Sequence, residues 1–212
     1  TVFCMLEDSD GFMWFGTEAG LIRYDGYNFR VFKNFSGDKS TNFVNSLYQD
    51  RSGRFWIATS NSPLIEYDPV YEKFKEYKIQ GIKDLTSINI TAVIEDSNEM
   101  IWLGTEKNGI LIFNPATGKY SRKVIGICDS LNDNIHIRSF VFDKKGNLWI
   151  GTNGFGLIKY NPIDGSKNVF TNENTKEILP HNIVSSLGID SNDRIWIGTD
   201  NGFCYYQNKI RP

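Results

Sequence analysis

One ten-residue motif occurs five times in this chain and limits the folds that the sequence can adopt. Each copy carries an Asp, a Trp six residues later and a Thr three residues after the Trp. The copies are DSDGFMWFGT at 8–17, DRSGRFWIAT at 50–59, DSNEMIWLGT at 96–105, DKKGNLWIGT at 143–152 and DSNDRIWIGT at 190–199. The tryptophans are therefore 42, 46, 47 and 47 residues apart. A period of this length is typical of a repeat architecture.

Each repeat predicts four short strands, and the fourth copy shows the pattern most clearly. An apolar, β-rich run precedes the Asp-x-x-Gly turn, the motif Trp lies in a second strand, and a Gly-containing turn leads to a third. An Asn-Pro-x-x-Gly turn then precedes a weak outer strand. The predicted strands are 137–142, 148–152, 157–160 and 167–171. Tight turns between consecutive strands predict one antiparallel meander per repeat.

The repeats predict an all-β chain, because no stretch of helical length carries an apolar period of 3.6 residues. A four-stranded unit cannot bury both of its faces alone, so the copies must stack face to face, which favours a β-propeller of four-stranded antiparallel blades. The Trp and Gly of each second strand are then expected to pack between blades. These structural positions are Trp14, Trp56, Trp102, Trp149, Trp196, Gly16, Gly104, Gly151 and Gly198.

The chain forms one propeller segment whose repeats we place at approximately 1–42, 43–88, 89–135, 136–182 and 183–212. The last repeat is expected to lack its outer strand, so the sequence predicts a fragment of a larger propeller. Glu99 and Asp193 occupy turn positions that hold Gly in the other copies. Because Glu tolerates positive φ poorly, we expect the turn at Glu99 to be built differently.

Charge and cysteine patterns exclude several functional classes. The net charge is −2, and its 25 acidic and 23 basic residues are interspersed, without the basic cluster that nucleic acids require. No apolar run approaches the roughly 20 residues that span a bilayer. Cys4, Cys128 and Cys204 show no metal-ligand spacing, and Cys4 and Cys204 are expected to be small apolar fillers in strands. We predict no metal and no cofactor.

The consensus order of the repeats is an apolar strand followed by D-x-x-G, W-x-G-T and G-[LI]-x-x-[YF]-[DN]. This order resembles the two-component regulator propeller repeat along essentially the whole chain. This resemblance implies a seven-bladed propeller at the extracytoplasmic end of a hybrid two-component sensor of a glycan-degrading bacterium. It implies a periplasmic location, an oligosaccharide ligand and a homodimeric parent protein. A membrane span and a histidine kinase would lie elsewhere in the parent chain, so contact with the membrane would come only through that chain.

The candidate ligand-binding residues lie where each repeat joins the next and between second and third strands, which meet at one face of a propeller. Planar amides, Arg and an aromatic ring suit the hydroxyl groups and the apolar face of a sugar. The candidates are Asn134, His136, Arg138, Asn153, Phe155, His181 and Asn182. A competing interpretation is that both histidines only cap turns or line this face.

The resemblance favours a non-enzymatic segment that relays binding to the kinase by a population shift across an interface. One alternative is a propeller lyase of the streptogramin-cleaving kind, with a histidine as base. A sialidase is disfavoured, because its Asp box places the Asp two residues before the Gly rather than three. The other alternative is a protein-binding scaffold, for which Phe35, Phe43 and Phe155 supply only a thin aromatic surface.

Overall fold

The computed structural model describes residues 1–33, 43–80, 82, 88–127, 135–173 and 179–211. Within these ranges every regular element is a β-strand, and the strands form five four-stranded sheets. The first sheet contains β1 (Val2–Glu7), β2 (Met13–Thr17), β3 (Gly20–Tyr24) and β4 (Phe29–Phe32), and the second β5 (Val44–Gln49), β6 (Phe55–Thr59), β7 (Leu64–Asp68) and β8 (Lys73–Tyr77). The third contains β9 (Ile90–Glu95), β10 (Ile101–Thr105), β11 (Ile110–Asn114) and β12 (Lys119–Lys123). The fourth contains β13 (Ile137–Phe142), β14 (Leu148–Thr152), β15 (Leu157–Tyr160) and β16 (Lys167–Phe170), and the fifth β17 (Val184–Ile189), β18 (Ile195–Thr199), β19 (Gly202–Tyr206) and β20 (Ile210–Arg211).

In each sheet the strands lie in sequence order, so the prediction of propeller blades built as four-stranded meanders is confirmed. The prediction that the last repeat lacks its outer strand is wrong. β20 pairs with β19 through Tyr205 with Arg211 and Tyr206 with Ile210. The strand has only two residues, too few for an alternating pattern, but Ile210 is buried in the core beside β19.

The described residues group into two compact units. The first contains residues 1–103 with 111–122, and the second contains residues 104–110 with 123–212. Within the first unit, β5 contacts both β1 and β9, and within the second, β13 contacts β17. In each unit the sheets pack face to face and bury an apolar core between them. This packing satisfies the need of a four-stranded unit to cover its faces.

The motif Asp fixes both the first turn and the motif Trp of each repeat. In the fourth sheet one carboxylate oxygen of Asp143 accepts hydrogen bonds from the amides of Lys145 (3.0 Å) and Asn147 (2.8 Å). The other oxygen accepts a bond from Trp149 Nε1 at 3.0 Å. All five copies contain this Asp–Trp bond, with lengths between 2.6 and 3.1 Å. The constant six-residue spacing therefore reflects a side-chain contact across the turn.

The turn at Glu99 is built like the others, contrary to expectation. Glu99 takes a φ of 62°, and its amide donates to the carbonyl of Asp96 at 3.2 Å. Asp96 Oδ1 accepts from the amides of Asn98 and Met100, as in the copies that hold Gly. The hydrogen bonds of Asp96 thus hold a non-glycine residue in the left-handed region.

Three motif tryptophans, Trp14, Trp56 and Trp149, pack between sheets as predicted. Trp149 stacks on Phe170 of its own sheet, at 5.9 Å between centroids, and contacts Tyr206 of the fifth sheet at 4.6 Å. Trp14 makes the same two kinds of contact in the first unit. Four of the five tryptophans are at most 2% exposed, whereas Trp196 is 36% exposed. The ring contact of Trp196 is with Tyr205 of the adjoining strand in its own sheet.

Two cysteines lie in strands, where they fill apolar space. Cys204 is buried in β19, and its burial raises the pKa of the thiol to about 11. Cys4 is half-buried in β1, and burial there raises the thiol pKa to about 12. Both thiols are therefore protonated at neutral pH and behave as small apolar groups. Cys128 lies outside the described residues.

The motif Gly allows close approach of the neighbouring strands, so Gly151→Ala should destabilise the protein. A Cβ at Gly151 would lie 2.4 Å from Ser139 Oγ and 2.9 Å from the Val184 carbonyl oxygen. We expect a loss of about 1–3 kcal/mol in the free energy of unfolding, measured by urea titration. Gly188→Ala is the matched control, because a Cβ at this strand position meets no atom within 4 Å. Equal stabilities of the two variants would contradict the packing role of Gly151.

Candidate ligand-binding rim

Six of the seven candidate positions lie at the starts of β13 and β17 and on the turn between β14 and β15. The amide of Asn153 donates to the carbonyl of His136 at 2.9 Å, and Asn153 forms a bridge with Ile183. The amides of Gly154 and Gly156 both donate to the carbonyl of Asn182, at 3.1 and 2.9 Å. We call residues 136–138, 153–155, 181–185 and 200 the rim. Asn134, the remaining candidate upstream of β13, lies outside the described residues.

The motif Thr closes the turn that presents Asn153 and Phe155. Thr152 Oγ1 donates to the Gly156 carbonyl at 2.7 Å and accepts from the amide of Phe155 at 3.0 Å. Thr152 is fully buried, while the side chains of Asn153 and Phe155 are exposed. The repeat scaffold therefore holds the backbone of the turn and leaves an amide and an aromatic ring available to a ligand.

A β-bulge places Arg138 on the rim. The pairing of β13 with β14 slips between Ile137 and Ser139, so Arg138 is the extra residue of the bulge. The same slip lies between Val184 and Ser186 in β17 and makes Ser185 the bulge residue of the fifth sheet. Bulges re-aim side chains and are common next to binding sites. Here they bring two polar side chains of adjacent sheets together.

Arg138, Ser185 and Asp200 form a hydrogen-bonded chain along the rim. Arg138 Nη1 donates to Ser185 Oγ at 3.1 Å, and Ser185 Oγ donates to Asp200 Oδ1 at 2.8 Å. Arg138 Nη1 is also 3.9 Å from Asp200 Oδ1. The side chains of Arg138 and Asp200 are 35% and 47% exposed, so solvent or a ligand reaches both.

The two histidines differ in their local roles. His136 is half-buried, and its burial, followed by the charge of Arg138, lowers its pKa, while the charge of Glu106 acts in the opposite direction. His136 is therefore neutral at pH 7 and can both donate and accept a hydrogen bond. His181 Nδ1 accepts a bond from the amide of Ile183 at 3.1 Å. His181 thus caps a turn, as the competing interpretation proposed.

Asn182 is also engaged in holding the backbone. Its Oδ1 accepts a hydrogen bond from the amide of Asn172 at 2.8 Å, in addition to the two bonds at its carbonyl. The rim residues that keep exposed polar groups are Arg138, Asn153 and Asp200. Ser185 and Asp200 were not predicted as site residues. Asp200 follows the fifth W-x-G-T motif as Asn153 follows the fourth, so its position carried a usable signal.

A concavity lies in the first unit, at the turns that join β5 to β6 and β7 to β8 of the second sheet. Its volume is about 540 Å³, and Arg54, Glu66, Tyr67, Lys73 and Lys75 are among the residues that line it. Arg54 donates to Asp50 at 2.6 Å, and Tyr77 links Lys75 at 2.8 Å to Glu66 at 2.6 Å. Three of these five residues are therefore already paired within the sheet.

Among the described residues no group of three or more His, Cys, Asp or Glu side chains is arranged to hold a metal ion. Within the same residues no helix has the length and apolar character needed to cross a membrane.

Comparison with known families identifies the repeat. Residues 1–19, 38–61, 130–154 and 178–201 match the family described as two component regulator propeller. Each of these four segments contains one W-x-[GA]-T motif, so four of the five repeats match the two-component regulator propeller repeat. No curated protein matches the sequence.

Solved structures share the fold of this repeat protein. The extracellular domain of a putative hybrid two component system from B. thetaiotaomicron is 26% identical, with a TM-score of 0.78, and the match covers 97% of this chain and 28% of that one. The extracellular domain of a putative one component system from the same organism is 22% identical, with a TM-score of 0.78 and coverage of 96% and 27%. Virginiamycin B lyase from Staphylococcus aureus is 15% identical, with a TM-score of 0.71 and coverage of 100% and 68%. The propeller repeats described here thus span little more than a quarter of the first two chains.

Proposed function

We propose that this segment is the ligand-sensing part of an extracytoplasmic, periplasmic sensor that binds an oligosaccharide at the rim. The repeat family and the extracellular domains of similar fold support the sensor assignment. The hydrogen-bonded side chains of Arg138, Ser185 and Asp200 are the observation that supports the rim as the binding site. They offer exposed donors and acceptors on a rigid scaffold. Phe155, exposed on the adjoining turn, supplies an apolar face for a sugar ring.

Signal relay follows from the same proposal. An oligosaccharide that binds the rim better in one arrangement of the parent protein shifts the population toward that arrangement. We infer that the parent protein is a homodimer and that this shift alters a histidine kinase elsewhere in the chain. Ligand-dependent phosphorylation of the intact protein, measured with and without the saccharide, tests the relay.

Arg138→Ala should weaken oligosaccharide binding about tenfold or more, because hydrogen bonds to charged groups contribute about 1.5–3 kcal/mol. A saccharide array first identifies the oligosaccharide that binds most tightly to the intact polypeptide that contains residues 1–212. Isothermal titration with that oligosaccharide then measures the loss of affinity. Arg211→Ala is the matched control, since Arg211 is an exposed arginine of the same unit at the end of β20. Unchanged binding by Arg138→Ala would remove the rim from the proposal.

A propeller lyase is the second candidate, because His136 is half-buried, neutral and near the charge of Glu106. Incubation with the array saccharides and with a streptogramin B, followed by mass spectrometry, separates the two functions. Intact ligands after incubation support the sensor. Cleavage that is lost in His136→Ala, with the fold preserved, would establish the lyase instead.

A further inference from the structure

The charged side chains at the rim are balanced rather than of one sign. Arg138 faces Asp200 across Ser185, at 3.9 Å between Arg138 Nη1 and Asp200 Oδ1. His136 is neutral, and His181 accepts a backbone hydrogen bond. The positive charge of Arg138 is therefore matched by the acid Asp200.

The Arg138–Ser185–Asp200 chain also keeps unused hydrogen-bonding atoms of both kinds. Within the described residues Arg138 uses Nη1 for Ser185, and its remaining N–H donors have no protein acceptor. Asp200 Oδ1 accepts the hydrogen bond from Ser185, and Asp200 Oδ2 accepts none from the described residues. A sugar hydroxyl both donates and accepts, so two neighbouring hydroxyl groups can bond the guanidinium and the carboxylate together.

An anionic sugar fits this arrangement poorly. A carboxylate or sulfate that reached Arg138 would lie next to Asp200, and like charges in such proximity disfavour binding. The attraction of Arg138 for an anion is already partly satisfied by Asp200. A neutral sugar meets no such repulsion.

On the basis of the proposed function, we propose that the rim selects uncharged oligosaccharides over uronate-containing or sulfated ones. Asp200 is the specificity-determining residue in this proposal. It accepts from a sugar hydroxyl and repels a sugar carboxylate, while Ser185 holds it beside Arg138.

Matched pairs of saccharides that differ in the C6 carboxylate test the selection. The probes are gluco-, manno- and galacto-configured tetrasaccharides, each against the corresponding uronate tetrasaccharide, titrated into the intact polypeptide. Within any pair that binds, we expect the neutral tetrasaccharide to bind at least about tenfold more tightly than the uronate tetrasaccharide, because a contact between like charges disfavours binding. Asp200→Asn should reduce this ratio about fivefold or more, since it leaves Arg138 without its acid.

Asp164→Asn is the control, because it removes the same charge from an exposed turn at the other end of the fourth sheet. It should leave the ratio unchanged, and thermal melts should show that both variants are folded. A uronate that binds as tightly as its neutral partner, or a ratio that Asp200→Asn does not alter, overturns the charge selection while the sensor function stands. If none of the probes or array saccharides binds, the proposed function itself fails.

Discussion

Trp149→Ala is expected to lower the free energy of unfolding by about 3–5 kcal/mol, the range for removal of a buried Trp. Trp149 is 1% exposed and lies between Phe170 of its own sheet and Tyr206 of the fifth. Its loss leaves a cavity between two sheets and removes a donor from Asp143. Urea unfolding followed by circular dichroism measures the change without relying on tryptophan fluorescence.

Trp196→Ala is the matched control for this prediction. Trp196 has the same motif position and the same bond to its Asp, at 3.1 Å, but it is 36% exposed. Because less apolar surface is buried there, we expect less than half the loss seen for Trp149→Ala. Equal losses in the two variants would mean that packing between sheets does not determine the role of the motif Trp.

Asp50→Ala is expected to cost about 3–5 kcal/mol, as removal of one partner from a buried charged network does. The Asp50 carboxylate is fully buried, and it accepts bonds from Arg54 Nε at 2.6 Å and Trp56 Nε1 at 2.8 Å. It also accepts from the amides of Ser52 and Arg54. Truncation leaves these four donors without their acceptor, which thermal and urea unfolding will detect.

Asp190→Ala makes the equivalent change in the fifth repeat. Asp190 accepts the same four kinds of bond, but its side chain is 22% exposed, so water can replace the carboxylate. Partial burial alone would raise the pKa of Asp190, but its hydrogen bonds with Arg194 and Trp196 lower that pKa to about 2. We expect a clearly smaller loss than for Asp50→Ala. If Asp190→Ala is the more destabilising variant, burial is not what makes the motif Asp important.

Periodic features of the sequence predicted the blades well. The first strand of the fourth repeat and its second strand were placed at their observed bounds, because apolar runs end at Asp-x-x-Gly turns. The packing role of the motif Trp and Gly followed from their repetition. What repeats in five copies must serve the scaffold that the copies share.

Features without a local pattern were missed. The bulges at Arg138 and Ser185 depend on how two strands pair, and no residue type marks them. The outer strand of the fifth sheet is two residues long, so it carries no alternation. The turn at Glu99 depends on the hydrogen bonds of Asp96, which overcome the intrinsic preference of Glu.

The ligand-binding role of the rim stays a prediction. The order of strands and turns places His136, Arg138, Asn153, Phe155, His181 and Asn182 at the starts of β13 and β17 and on the turn between β14 and β15. Ser185 and Asp200 are 47 and 62 residues beyond Arg138 in the sequence, so only the structure brings the three together. The balance of charge at the rim follows from that contact.

A crystal structure of the intact polypeptide with its tightest-binding oligosaccharide tests the assignment of the rim most directly. We predict sugar hydroxyl groups within hydrogen-bond distance of both the Arg138 guanidinium and the Asp200 carboxylate, with a ring against Phe155. A saccharide bound elsewhere, without contact to Arg138 or Asp200, would contradict the assignment of the rim as the sensing site.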